Sequence, residues 1–207
     1  MPPVGREFDR DFFMAPATVV APLLLGALLT HETPEGSVTI RLTEVEAYLG
    51  DGTDPGSHAF RGRTKRNAVM FGEPAHLYAY FTYGMHVCGN VACSPPGEAS
   101  GVLMRGGEVV EGLELARSRR PTAKRDVDLA RGPARLALAA GIRLADNGAD
   151  LLERPFRLSP GTPPSTVASG PRTGVSGAGG STRFSWRFWI PSEPTVSPYK
   201  RHSASHE

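Results

Sequence analysis

An α+β fold is what this sequence predicts: one domain built on a curved, mostly antiparallel β-sheet, with a protruding β-hairpin and helices at its flanks. Three observations point that way. From Ser37 to Tyr48 the chain alternates in the period-two pattern of a strand with one face in the core. His76 to Cys93 holds two β-prone arms, rich in Tyr, Phe and Val, joined around Tyr83-Gly84. Separate stretches have helical spacing, and 207 residues with 40% hydrophobic content suffice for one well-buried core and are short for two.

Each element has its own signal. After a short polar lead, Ala17 to Leu29 reads as a helix rich in Val and Leu, with Pro22 either kinking it or marking its first turn. In the strand that follows, Val38, Ile40 and Leu42 share one face and Thr39, Arg41 and Thr43 the other. Asp51 to Arg66 is a loop by its Gly, Pro, Asp and Ser content, and loops of this length in compact domains are often functional. Beyond the hairpin, Gly101 to Arg105 gives a short strand, and Glu108 to Arg120 a helix with Val109, Leu113 and Ala116 on one face. Gly132-Pro133 starts a further helix that closes at Gly141, since proline suits the first helical turn. Ser159 to Ser181 is rich in Gly, Pro, Ser and Thr and is expected to make a flexible excursion, with Arg172 to Val175 a candidate strand. Phe184 to Ile190 is aromatic and β-branched and reads as the final strand, and the tail after Ser197 is expected to be disordered.

Composition narrows the classes of function. The formal net charge of +2 argues neither for nor against a polyanionic partner, but the basic residues are clustered. Arg61, Arg63, Lys65 and Arg66 form one group; Arg117, Arg119, Arg120, Lys124 and Arg125 form another. Such patches suit phosphate contacts, and equally suit solvated loops. Two cysteines, Cys88 and Cys93, are too few for a disulfide framework and suggest a reducing, cytoplasmic compartment. With His86 they lack the paired spacing of a metal site, so core burial is expected and no metal. Leu23-Leu24-Leu25 is broken by Pro22 and Gly26, no run reaches transmembrane length, and the N-terminus lacks a secretory signal's basic start. A soluble protein, not a membrane protein, is expected.

The chemistry concentrates at Glu44-Val45-Glu46-Ala47-Tyr48. By parity Glu44, Glu46 and Tyr48 continue the apolar face of the strand, and an ionised carboxylate there is costly unless it is paired or lines a wet cleft. The pattern therefore indicates either a functional pocket or a strand end reaching solvent.

Downstream, the order of motifs resembles that of the alkyladenine DNA glycosylases, also called 3-methyladenine or methylpurine DNA glycosylases. The resemblance covers most of the chain. It rests on Thr43-Glu44-Val45-Glu46-Ala47-Tyr48, Arg66-Asn67 with Met70-Phe71, Leu77-Tyr78 with Tyr80 and Tyr83-Gly84-Met85, Asn90, Leu103-Met104-Arg105, Glu111-Gly112 and Gly132-Pro133. Each motif alone is weak, but their combined order and spacing are specific. Pro22, the Pro95-Pro96 loop and the Gly174 to Gly180 stretch are not obvious family features.

The resemblance implies base excision repair by a monomeric, monofunctional enzyme acting on double-stranded DNA that contains alkylated or deaminated purines. It implies Glu46 as general base on the attacking water and Arg105 as its cationic partner. Tyr48, His58, Tyr80 and Asn90 would form the base pocket, and Tyr83 would fill the gap left by the flipped nucleotide. Arg61, Arg63, Lys65 and Arg66 are candidates for the DNA backbone. The residues alone do not separate Glu44 from Glu46 as the base; only the family pattern does, and Glu44 keeps no assigned role. The three lysines, Lys65, Lys124 and Lys200, fall outside the matched pocket, so water is the favoured nucleophile and an abasic site the expected product. No cofactor is expected. A catalytically inactive binder of damaged or distorted DNA is the alternative; it would keep the wedge and aromatics and make no use of Glu46.

Overall fold

The computed structural model describes residues 7–50, 52–82 and 84–205. Within them, three α-helices pack on an open, eight-stranded, wholly antiparallel sheet. The α+β expectation is met. The strand that organises it is β2 (Gly36–Leu49), which pairs along its length with β5 (Ser100–Glu111). On its other edge β2 pairs first with β1 (Leu28–Thr33) and then, at Glu44 to Glu46, with β8 (Arg187–Trp189). Beyond β5 lies the hairpin of β3 (Leu77–Thr82) and β4 (His86–Cys93), while β6 (Phe156–Ser159) flanks β1 and β7 (Ala168–Gly170) flanks β8.

The alternation along β2 breaks between Leu42 and Val45. Val38, Ile40 and Leu42 enter the core, but beyond an irregularity in the β2–β5 pairing the core positions become Val45 and Ala47. Gly106 and Gly107 lie opposite that irregularity, and a Cβ at Gly107 would stand 2.4 Å from the Ile40 side chain. Glu44, Glu46 and Tyr48 therefore do not continue the apolar face, as simple parity predicts. They lie on the opposite face, which other parts of the chain cover.

Other boundaries move for local reasons. Helix α1 (Ala17–Leu23) ends near Pro22, which has no amide to donate, and Gly26 (φ +86°) turns the chain so that Leu28 and Leu29 enter β1 instead of extending the helix. The expected helix from Glu108 begins late: residues 108–111 stay paired with Thr39 to Arg41, and α2 (Leu113–Arg119) starts after Gly112. A Cβ at Gly112 would sit 2.1 Å from the Ser37 carbonyl oxygen, so glycine is required there. Helix α3 (Pro133–Ala140) begins at its proline and closes on Gly141 (φ +76°), as the sequence predicts.

Two segments expected to be loose make defined contacts with the rest of the chain. Within Ser159 to Ser181, β7 joins the sheet and Arg172, Gly179 and Gly180 are buried, while much of 162–169 is exposed; Arg172 to Val175 is not strand, and of Phe184 to Ile190 only Arg187–Trp189 is. The tail after Ser197 also lies against the fold, with Gly174 N–H donating to the Lys200 carbonyl (2.8 Å) and Gly177 N–H to that of Ala204 (2.7 Å).

What fastens the Gly-rich segment is Arg172, which is 1% exposed. Its guanidinium donates through both Nη atoms to Asp54 at 2.6 Å each, and to the Ala47 and Gly179 carbonyls at 3.1 and 2.8 Å. It also lies 4.4 Å from the Tyr48 ring. A buried ion of this kind is tolerable only with its partner present. Arg172→Met should lower unfolding free energy in urea by about 3–5 kcal/mol, because it strands Asp54 as an uncompensated buried charge. Pairing it with Asp54→Asn should recover much of that loss; additive losses in the double variant would contradict the pairing.

Candidate active site

One cavity of about 570 Å³ opens beside the end of β2. Its floor holds Glu46 and Arg105, one wall holds Tyr78, Tyr80, Cys88 and Asn90 from the β3–β4 hairpin, and His58 comes from the long loop. The facing wall is Thr173 to Ser176. The predicted residues Glu46, Tyr48, His58, Tyr80, Asn90 and Arg105 are thus brought together, although they span four strands and a loop.

Glu46 is fully buried and held from two sides. The Tyr48 hydroxyl donates to Oε2 at 2.8 Å and Thr173 N–H donates to Oε1 at 2.7 Å. Arg105 Nε stands 3.6 Å from Oε1, but donates at 2.8 Å to Glu44 instead. Glu44, also fully buried, further accepts from Arg187 Nε (2.7 Å), Ser197 N–H (2.7 Å) and Ser197 Oγ (3.0 Å). The carboxylate that the sequence left without a role is the anchor that orients Arg105 beside Glu46. Burial alone would lower the Arg105 pKa, yet the charges of Glu46 and then Glu44 outweigh it and hold the guanidinium above its ordinary value. Desolvation first, then the charge of Glu46, pushes the Tyr48 phenol well up, so it remains a hydrogen-bond donor.

The aromatic wall is preassembled. Tyr78 and Tyr80 stack with centroids 5.3 Å apart, and His58 meets Tyr80 edge-on at 4.5 Å. Asn67 fixes the His58 loop by donating to the His58 and Gly62 carbonyls at 2.9 and 3.1 Å while accepting from Thr64 N–H at 2.6 Å. Asn90 Nδ2 donates to the Tyr78 carbonyl at 3.0 Å, which sets the orientation of its amide at the cavity wall. Cys93 lies in the core, whereas Cys88 faces the cavity and burial pushes its thiol up to about 11.

Other predicted residues lie elsewhere. Arg61, Arg63, Lys65 and Arg66 are exposed and outside the cavity lining, with Arg66 donating to the Phe81 carbonyl at 2.7 Å. In the second basic cluster, Arg117 pairs with Asp126 (2.7 Å) and Arg125 with Asp128 (2.9 Å). Tyr83, at the hairpin tip, is outside the described residues. The sequence reading missed Arg172, Thr173, Arg187, Ser197 and Lys200. Lys200 is a direct correction: it lines the cavity, so the lysines do not all stand away from the pocket. Arg172 had a signal, being the lone charged residue between Ser159 and Ser181.

Desolvation against the tyrosines, followed by the charge of Arg66, holds the His58 imidazole below its ordinary value. A depressed histidine contributes stability that is present above its unfolded pKa and lost as pH falls through the folded one. NMR titration should place His58 below about 6.5, and Arg66→Gln should move it upward. A wild-type value at or above that reference would contradict the packing.

Comparison with known proteins follows the same geography. Residues 11–194 match the family model described as methylpurine-DNA glycosylase. A protein of Leifsonia xyli subsp. xyli named "Putative 3-methyladenine DNA glycosylase" is 66% identical over 201 residues, covering 95% of this chain and 94% of the relative. Relatives with the same name in Streptomyces avermitilis and Nocardia farcinica are 55% and 52% identical, covering 97% and 86% of this chain and 95% and 84% of their own lengths. With a family match over residues 11–194 and relatives of this identity and coverage, the chain belongs to the methylpurine-DNA glycosylase family.

Proposed function

We propose that the protein is a monofunctional DNA glycosylase that flips an alkylated or deaminated purine out of duplex DNA and hydrolyses its N-glycosidic bond. The observation that carries this is Glu46, buried at the cavity floor, oriented by Tyr48 and Thr173 and faced by Arg105 across 3.6 Å. A water on C1′ would lose a proton to the Glu46 carboxylate as its oxygen bonds to the sugar. The C1′–N bond breaks, its electron pair leaves with the base, and an abasic site remains. Glu46 also offsets positive charge developing on the sugar, while Arg105 holds the water or the neighbouring phosphate.

The pocket suits a flipped purine. Stacked Tyr78 and Tyr80 present an aromatic wall, and base stacking of about 1–3 kcal/mol offsets much of the cost of unstacking. A cationic alkylated base gains further from the electron-rich face. Tyr48 has its ring against Arg172 and its hydroxyl on Glu46, so it joins the base pocket to the catalytic carboxylate. Asn90 gives the wall a fixed amide against which a guanine's exocyclic amine would clash, and Tyr83 fills the vacated stack. No helix among the described residues is long and apolar enough to cross a membrane.

Incubation with duplex DNA carrying hypoxanthine or 7-methylguanine, followed by alkaline cleavage at abasic sites, should reveal excision by the wild type. Release of no alkylated or deaminated purine would sink the proposal. Glu46→Gln should keep lesion binding within a few-fold and slow excision by about 10²–10⁴-fold. Parallel loss of binding would assign Glu46 a structural role instead.

A further inference from the structure

The family match ends at residue 194, yet the chain beyond it is built into the cavity. Ser197 is fastened to the buried Glu44 through its N–H and hydroxyl, and its carbonyl accepts from Arg187 Nη2 at 2.8 Å. The strap then crosses the wall loop: Gly174 N–H donates to Lys200, Gly177 N–H to Ala204, and Ser205 Oγ donates to the Val175 carbonyl at 2.7 Å. The wall loop is the one that supplies Thr173 N–H to Glu46, so strap, wall and catalytic carboxylate form one connected unit. At its centre Lys200 is exposed and lines the cavity, and among the described residues its ammonium forms no ion pair.

The geometry points to Lys200 as a grip on a phosphate flanking the extruded nucleotide, which makes the C-terminal strap part of the DNA-binding mouth. This rests on the glycosylase reading above. Charge decides which part of the nucleotide it meets. An ammonium near the aromatic wall would repel a cationic alkylated purine, whereas beside the backbone it meets an anion and releases a counterion. In the second basic cluster Arg117 and Arg125 are already paired with Asp126 and Asp128, and none of that cluster lines the cavity.

The test uses the full chain and duplex DNA holding a tetrahydrofuran abasic analogue, with affinity measured across a salt series. Lys200→Met should weaken binding about five- to tenfold and flatten the dependence of log affinity on log salt by about one. Lys200→Arg should restore both, and Lys124→Met should do less. An unchanged slope in Lys200→Met, or an equal effect of Lys124→Met, would overturn the grip. So would borohydride trapping of a covalent adduct between the wild type and natural abasic DNA that Lys200→Met abolishes, because that amine would then be a nucleophile. Binding to the analogue needs no excision. A wild type that shows the Lys200-dependent slope yet releases no purine would support the grip and refute the glycosylase reading.

Discussion

Two glutamates from one strand are buried close together, and the arrangement of arginines around them makes this possible. Glu44 accepts from Arg105, Arg187 and Ser197, and is thereby neutralised from β5, β8 and the C-terminal strap at once. Isolated buried carboxylates would cost several kcal/mol each and would protonate instead. With Glu44 saturated, Arg105 is held beside Glu46 at 3.6 Å without a direct hydrogen bond. Glu46 is left with two light constraints, from Tyr48 and Thr173. The division gives one carboxylate to structure and leaves the other at the cavity for the proposed chemistry.

The rest of the architecture serves this division. The irregular β2–β5 pairing at Gly106 and Gly107 turns both carboxylates off the core face, so that Val45 and Ala47 can pack inside. Arg172 then closes the exposed side, joining Asp54 of the long loop to the Ala47 carbonyl and the Tyr48 ring. Its neighbour Thr173 reaches Glu46 as a consequence. Low side-chain volume in the Gly-rich segment is a packing requirement: a Cβ at Gly179 would stand 2.4 Å from the Gly56 amide nitrogen.

Much of this was legible in the sequence. The alternation of β2, the hairpin arms and the Gly132-Pro133 helix start all depend on local periodicity or turn chemistry, which a sequence displays directly. The order of the motifs grouped Glu46, Tyr48, Tyr80, Asn90 and Arg105 as candidates, and one cavity gathers them. What could not be read locally was pairing at a distance. Arg172 meets Asp54 across 118 positions and Ser197 meets Glu44 across 153. A Gly-, Pro- and Ser-rich composition signals flexibility when no partner is known; here a single buried guanidinium supplies a partner. The parity of β2 failed for a related reason, since alternation carries no mark of an irregularity imposed by glycines on the neighbouring strand.

The central claim is that Glu44 works through Arg105 to set the geometry around Glu46. Single-turnover excision by Glu44→Gln, on hypoxanthine-containing duplex at saturating enzyme and with folding verified by circular dichroism, tests it most directly. The account predicts a rate lowered by about 100-fold, as a misplaced catalytic group entails, with lesion binding retained. A folded Glu44→Gln protein that excises at the wild-type rate would contradict it.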